Sequence, residues 1–284
     1  MAVILKGREV AESLLLEMSG KINQLKEKNV IPTMAIVRVG ENPDDIAYES
    51  SITKKATAWG SHVRSWTLKD KATEEEMINL IDSLNEDNEI NGVLIFQPFP
   101  ATINEELIRN KLYPEKDLDG FTTESMQRIY AGKGLGYAPC TAEAVLEILK
   151  YYKIPMTGKK ALVLGRSLVI GKPVAMMLLS ENATITIVHS RTERLKEELS
   201  QADIIIASAG APSIVDKDCV KANQVVIDVG ININEEGQLV GDVDFTQVEK
   251  IVGAITPVPG GVGAVTTAVL FKHLVDRTWN KQVF

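Results

Sequence analysis

The chain has 284 residues, 45% hydrophobic and 24% charged, enough to fill the cores of one large or two ordinary α/β domains. A net charge of -7 with no block of five like charges argues against nucleic acid or an anionic membrane as the main partner and for a small molecule. Cys140 and Cys219 lie far apart and outside any C-x-x-C, so buried thiols are expected rather than a disulfide framework or a metal site. Met1 to Lys6 has no basic region before its short apolar stretch, so no signal peptide is expected and the cytoplasm is the default location.

Helical spacing from Lys6 to about Lys28 is followed by a buried-strand pattern, Thr33 to Gly40. The alternation continues with a helix from Asp44 to Trp59, a strand from His62 to Leu68, a helix from Thr73 to Leu84, a strand from Gly92 to Phe96 and a helix from Asn104 to Leu112. After a helix from Ala142 to Tyr152, a second series opens with a strand from Lys159 to Gly165. Further strands are predicted at Ala183 to Val188, Asp203 to Ala207 and Gln224 to Val229, and a last helix from Val265 to Thr278. Such alternation predicts two α/β domains with mostly parallel sheets. The predicted division places residues 1–141 and 265–284 in one domain and 142–264 in a Rossmann-like second one.

The run from Ile251 to Phe271 is uncharged and long enough for a membrane span, but it contains Ile255-Thr-Pro-Val-Pro-Gly-Gly-Val-Gly263. Two prolines and three glycines in nine residues predict a rigid turn whose backbone can approach a ligand closely, with Pro257, Gly260 and Gly261 at its centre.

At the start of the second domain a strand runs into Gly165-Arg166-Ser167 and then, through Gly171-Lys172-Pro173, into a helix. There a parallel sheet offers backbone N–H groups to a pyrophosphate. The spacing is not G-x-G-x-x-G, and a plain strand-to-helix turn is the alternative. The next strand ends in His189-Ser190-Arg191 where an NAD enzyme would carry a carboxylate for its ribose hydroxyls. A hydroxyl and a guanidinium instead suit a 2′-phosphate, which favours NADP; Ser190 as a cap for the following helix, with Glu193 at capping-box spacing, is the competing reading. Later strands end in small residues, Ala207 to Gly210 and Val229-Gly230-Ile231, where a cofactor could lie across them.

Taken together, Gly165-Arg166-Ser167, Gly171-Lys172-Pro173, His189-Ser190, Asp228 to Asn232, Gly241 to Asp244, Thr256 to Gly263, Pro114-Glu-Lys-Asp-Leu-Asp-Gly-Phe121 and Pro139-Cys-Thr141 resemble the methylenetetrahydrofolate dehydrogenase/methenyltetrahydrofolate cyclohydrolase family over essentially the whole chain. The resemblance implies a folate-binding domain and an NADP domain facing each other across a cleft, usually in a homodimer. By that likeness Asp119 would hydrogen-bond the pteridine ring, Tyr48 would stack on the folate, and Pro257 to Gly261 would border it near the nicotinamide. From the residues alone, Asp119 could instead satisfy its own turn and Tyr48 could be core.

Two slots depart from the family's pattern. It reads Y-x-x-x-K on the first-domain helix, with the lysine required for cyclohydrolase chemistry, but Tyr48-Glu-Ser-Ser-Ile52 puts isoleucine there. It reads V-Q-L-P-L-P on the third strand, with the glutamine partnering that lysine, whereas Ile95-Phe96-Gln97-Pro98 puts phenylalanine in the glutamine slot. Gln97 is the next residue, but successive strand side chains point to opposite faces. Lys54 lies about 200° around the helix from Ile52; Lys55 returns to the face of Tyr48 about 10 Å along the axis and is a candidate substitute. The expectation is NADP-dependent oxidation of 5,10-methylenetetrahydrofolate with weak or absent cyclohydrolase activity, a separate cyclohydrolase then acting downstream. The alternatives are a bifunctional enzyme that also hydrolyses methenyltetrahydrofolate to 10-formyltetrahydrofolate, and a non-catalytic NADP- or folate-binding regulator.

Overall fold

A computed structural model of the chain describes residues 2–283. Its first elements are β1 (Val3–Ile4), α1 (Gly7–Glu27), β2 (Thr33–Val39), α2 (Pro43–Ala58), β3 (His62–Leu68), α3 (Glu74–Glu86), β4 (Gly92–Ile95), α4 (Glu105–Arg109) and α5 (Thr123–Ala131). They are followed by α6 (Cys140–Tyr151), β5 (Lys160–Leu164), α7 (Gly171–Ser180), β6 (Thr184–Val188), α8 (Leu195–Gln201), β7 (Ile204–Ala207) and β8 (Val225–Asp228). The last are β9 (Asn232–Ile233), β10 (Leu239–Val240), α9 (Phe245–Val248), β11 (Ala254–Ile255) and α10 (Val262–Val283). The chain divides into two compact units, Met1–Leu14 with Pro139–Val269 and Leu15–Ala138 with Leu270–Phe284. No helix of the described residues is long and apolar enough to cross a membrane.

The smaller sheet is three-stranded, ordered β3-β2-β4, and both pairings are parallel. On one face Ala35, Val37, Val93 and Ile95 pack against Met77, Ile81 and Leu84 of α3 and Ile108 of α4. The start of α3 is fixed by a capping box between Thr73 and Glu76. On the other face α2 buries Ile52 and Ala56. Phe271 of α10 meets Trp59 edge-on at 4.6 Å, which seats the end of the last helix in this unit.

The larger sheet is six-stranded, ordered β1-β11-β8-β7-β5-β6, with every pairing parallel. Its central strands are near-continuous apolar runs such as Ile204-Ile-Ile-Ala207, all buried, as a sheet covered on both faces requires. The predicted division kept residues 1–141 together. In the structure Val3 and Ile4 pair with Ala254 and Ile255, so the first fourteen residues belong to the larger-sheet unit. A strand of two residues has no periodicity to read, and its partner β11 is masked by the proline-glycine turn that follows it.

Two buried carboxylates tie the strand ends of this unit together. Asp242 accepts hydrogen bonds from the backbone N–H of Ala209 (2.5 Å), Gly210 (3.0 Å) and Ala211 (2.9 Å) and from the Asn232 amide (2.9 Å). Asp228 accepts from the N–H of Gly230 (2.9 Å), Asp242 (3.0 Å) and Val243 (3.0 Å). A Cβ on Gly230 would collide with Asp242, and one on Gly241 with Asp228. The immediate reason for glycine at these two positions is therefore the carboxylates and not the approach of a ligand.

Burial pushes the Asp228 carboxyl up to about 6, with Asp242 adding to the rise and the three N–H groups opposing it. Because the folded value lies above the unfolded one, the stability this group contributes is complete below about pH 4 and is lost as the pH rises through about 6. We predict that between pH 4 and 7.5 the unmodified chain loses roughly 1–3 kcal/mol of unfolding free energy more than Asp228→Asn does. Denaturant titrations at the two pH values measure this difference; parallel profiles would refute it.

Candidate functional site

The carboxyl ends of β5, β6 and β7 surround a cavity of about 320 Å³. Because β6 and β7 flank β5 on opposite sides, the cavity lies at the topological switch point, where open parallel sheets bind their ligands. Gly165, Arg166, Ser167, His189, Ser190, Ser208, Ala209 and Ala211 line it together with Leu164, Leu195 and Ile214. No carboxylate is among these described lining residues, and Arg166 supplies a guanidinium. Such a lining fits a phosphorylated nucleotide and would disfavour one that needs a carboxylate on its ribose.

The loop ahead of α7 is held by Ser167, whose Oγ accepts from the N–H of Ile170 (3.1 Å) and Gly171 (3.3 Å). Gly165 has φ +129°, and a Cβ there would collide with the Ser208 carbonyl; one on Gly171 would collide with the Gly165 carbonyl. The turn thus folds closely on itself before any ligand is considered. Ser190 does not cap the next helix, since α8 starts only at Leu195 and its N-cap position, Arg194, makes no side-chain cap bond. The preceding turn is closed by the Thr192 hydroxyl accepting from the His189 N–H at 2.9 Å, which leaves Ser190 on the cavity wall.

Other expected cofactor residues stand outside the lining. Arg191 is exposed, and its N–H donates to His189 Nδ1 at 3.2 Å. Gly210 adopts φ +66° and donates its N–H to Asp242; Gly230 is buried against Asp242, and Ile231 is 71% exposed. In the proline-glycine segment, Pro257 is half-buried, Gly260 is exposed with φ +100°, and Gly261 is buried, where a Cβ would collide with the Pro257 carbonyl. The Gly7 N–H donates to the Gly260 carbonyl at 2.9 Å, so the start of α1 braces this turn.

In the smaller unit Tyr48 and Phe96 meet at the carboxyl end of the three-stranded sheet. The Phe96 N–H donates to the Val37 carbonyl at 2.8 Å, extending the β4 ladder by one residue. Its ring lies 5.5 Å from that of Tyr48 on α2, tilted by 31°. Tyr48 is 42% exposed, so it is no core aromatic, whereas Phe96 is buried. Ile52, one turn after Tyr48, is wholly buried. Gln97 is half-buried just beyond the strand, and Lys55 is half-buried with its ammonium pKa lowered by burial.

Asp117, which the sequence reading did not single out, is the turn's own acceptor. Buried, it receives the N–H of Phe121 (3.0 Å) and Thr122 (2.7 Å) and the Ser125 hydroxyl (2.6 Å). The Asp119 N–H also points to it at 3.3 Å, and Asp119 itself is half-buried. Lys116 is buried too, donating to the Leu84 and Asp87 carbonyls at 2.6 and 2.7 Å, and burial lowers its pKa to about 8. The P-x-K-D-x-D-G pattern therefore sets two buried structural charges, Lys116 and Asp117, beside the half-buried Asp119. Asp117→Ala, which strands buried donors, should cost at least about 3 kcal/mol, and Asp119→Ala, at a half-buried position, less. Urea unfolding of the two variants measures this, and equal losses would refute the division of roles.

Family models match the chain in both halves. The catalytic-domain model for tetrahydrofolate dehydrogenase/cyclohydrolase covers residues 5–119, and the NAD(P)-binding-domain model of the same family covers residues 139–282. The bifunctional protein FolD of Clostridium botulinum is 46% identical over 276 residues, spanning 97% of this chain and 98% of the relative. FolD of Carboxydothermus hydrogenoformans is 47% identical, spanning 97% of this chain and 96% of the relative. Among solved structures, the bifunctional FolD of Campylobacter jejuni superposes with a TM-score of 0.96 at 36% identity, covering 99% of this chain and all of that one. The methylenetetrahydrofolate dehydrogenase-cyclohydrolase of Trypanosoma brucei, complexed with NADP cofactor and inhibitor, gives 0.92 at 32% identity, covering 99% of this chain and 98% of that one. With both of its halves matched and a near-complete relative at 46% identity, the chain belongs to the tetrahydrofolate dehydrogenase/cyclohydrolase family.

Proposed function

We propose that the chain oxidises 5,10-methylenetetrahydrofolate to 5,10-methenyltetrahydrofolate with NADP⁺, and that it also hydrolyses the methenyl product to 10-formyltetrahydrofolate. The observation that carries the first activity is the carboxylate-free cavity at the switch point, with Arg166 and Ser190 on its wall, in a member of this family. Bound NADP⁺ would accept a hydride from the methylene carbon. The product cation is stabilised by its own two nitrogens, so the protein's task is chiefly to bind and align. Arg166, Ser167 and Ser190, with Arg191 beside them, would hold the phosphates; Tyr48 would offer its exposed ring to the folate and Asp119 an acceptor to the pterin's donors. The turn from Pro257 to Gly261 would border the folate. The homodimer belongs to the same proposal, and sedimentation equilibrium tests it.

The second activity is supported by the relatives, which are named bifunctional. The expectation of weak or absent hydrolysis finds no support there. It remains as a second reading because Ile52 is apolar and wholly buried and Phe96 is buried against Tyr48, which leaves no ionisable group in the two slots. Under the bifunctional reading Lys55, a half-buried lysine on the Tyr48 helix whose ammonium pKa is lowered by burial, is the candidate proton-transfer group.

Assays with both cofactors test the oxidation. NADP⁺ should be preferred, and Ser190→Ala with Arg191→Ala should raise its KM more than about tenfold while sparing NAD⁺; equal use of both cofactors by the unmodified chain would remove the assignment. Asp119→Ala should weaken folate binding and lower turnover while leaving NADP⁺ binding in place. Hydrolysis of added methenyltetrahydrofolate well above the buffer rate, and its fall by about 10²-fold or more in Lys55→Ala, is the outcome the bifunctional reading expects. Hydrolysis at the buffer rate would instead establish the dehydrogenase-only reading and require a separate cyclohydrolase downstream.

A further inference from the structure

Beside Tyr48 the structure holds a polar link between helix and sheet that none of the functional assignments uses. Arg38, near the end of β2, donates through Nε to Glu49 Oε2 at 2.8 Å and through its terminal nitrogen to the Gly40 carbonyl. Both side chains are largely buried, 14% and 16% exposed. Glu49 directly follows Tyr48 on α2. Val37 pairs with Ile95 in the β2–β4 register, and the Phe96 N–H extends that ladder, so Arg38 and Phe96 stand side by side at the sheet's end. Helix α2 thus meets this end of the sheet through two adjacent contacts, Tyr48 on Phe96 and Glu49 on Arg38.

We propose that the Arg38–Glu49 ion pair is the positioning element of the folate subsite, fixing α2 on the sheet so that Tyr48 holds its place over Phe96. The proposal rests on the assignment of Tyr48 to the folate subsite made above. In the pattern the chain resembles, the polar link between this helix and the sheet would run from the lysine slot to the glutamine slot. Here those slots are Ile52 and Phe96, buried apolar side chains that can form no directional polar bond between helix and sheet. A guanidinium held at once by a carboxylate on the helix and a carbonyl at the strand's exit restores a direction. Tyr48, on the helical turn that carries Glu49, inherits its orientation.

The test is steady-state kinetics of methylenetetrahydrofolate oxidation with Arg38→Met, Glu49→Gln, the double variant, and each again in a Tyr48→Ala background. Each single variant should raise the KM for the folate about tenfold with NADP⁺ KM within about twofold of the unmodified value, because small misplacements of a binding group are costly. The double variant should be no worse than either single, as expected of one coupled unit. In the Tyr48→Ala background the same substitutions should add nothing. Arg38→Lys, which keeps the charge but loses the planar fork, should give a smaller rise and serves if Arg38→Met does not fold. An unchanged folate KM, a matching rise for NADP⁺, or the same rise without Tyr48 would overturn the proposal. Absence of oxidation by the unmodified chain is a different result, and it would overturn the functional reading and this proposal with it.

Discussion

The candidate nucleotide site depends on the buried carboxylate of Asp242. Four donors converge on it, three of them backbone N–H groups in the segment after β7 and one the Asn232 amide after β8. Backbone N–H groups buried without partners cost enough to reshape a loop, and a carboxylate that accepts several of them fixes that loop in one conformation. Ala209 and Ala211 of that segment line the cavity, so the shape of the site is set partly by a residue more than thirty positions away. Asp228 performs the same service one strand over and passes its own N–H to the Thr256 hydroxyl at 2.7 Å, which ties the approach to the proline-glycine turn into the same network.

The smaller unit repeats the device with different residues. Asp117 gathers the donors of its turn and of the first turn of α5, and Lys116 closes the carbonyl end of α3. In both units the charged residues that build the site are buried and fully engaged, while those expected to touch ligands, Asp119, Tyr48, Arg166 and Ser190, stand partly or largely open. Motif residues of one chemical type therefore divide into two groups by burial.

This division explains what could be read from the sequence. The long elements were legible because their patterns are long: the apolar runs of β2, β5, β7 and β8 and the helical spacing of α1 and α2 lie within a few residues of their predicted bounds. The two-residue strands β1 and β11 were not, because two residues carry no period, and the assignment of the first fourteen residues went astray with them. Short α5 and α9 were missed for the same reason, and α8 was expected only as an unbounded helix after Ser190, whereas it starts at Leu195. The positions of Gly165, Ser167 and Ser190 on the cavity wall follow from a strand-to-helix turn that local sequence encodes. The roles of Asp117 and Asp242 do not, since an acceptor is identified by its donors, and Asp242 finds most of its own across distant loops. A resemblance marks such residues without saying which of them hold the fold.

The pairing of β1 with β11 places the chain's first strand beside its last. Residues 254 and 255 must be present before the six-stranded sheet can close, and Leu270 onward before the smaller unit is complete. During synthesis from the N-terminus, the larger sheet cannot close until residues 254 and 255 have left the ribosome, nor the smaller unit until the residues after Leu270 have, although β2 to β8 are available to pair earlier. Until then Val3 and Ile4 have no neighbour and β8 presents an open parallel edge, the kind of surface that recruits strands from other chains. A two-residue strand, β11, is thus what separates an open parallel edge from a closed sheet.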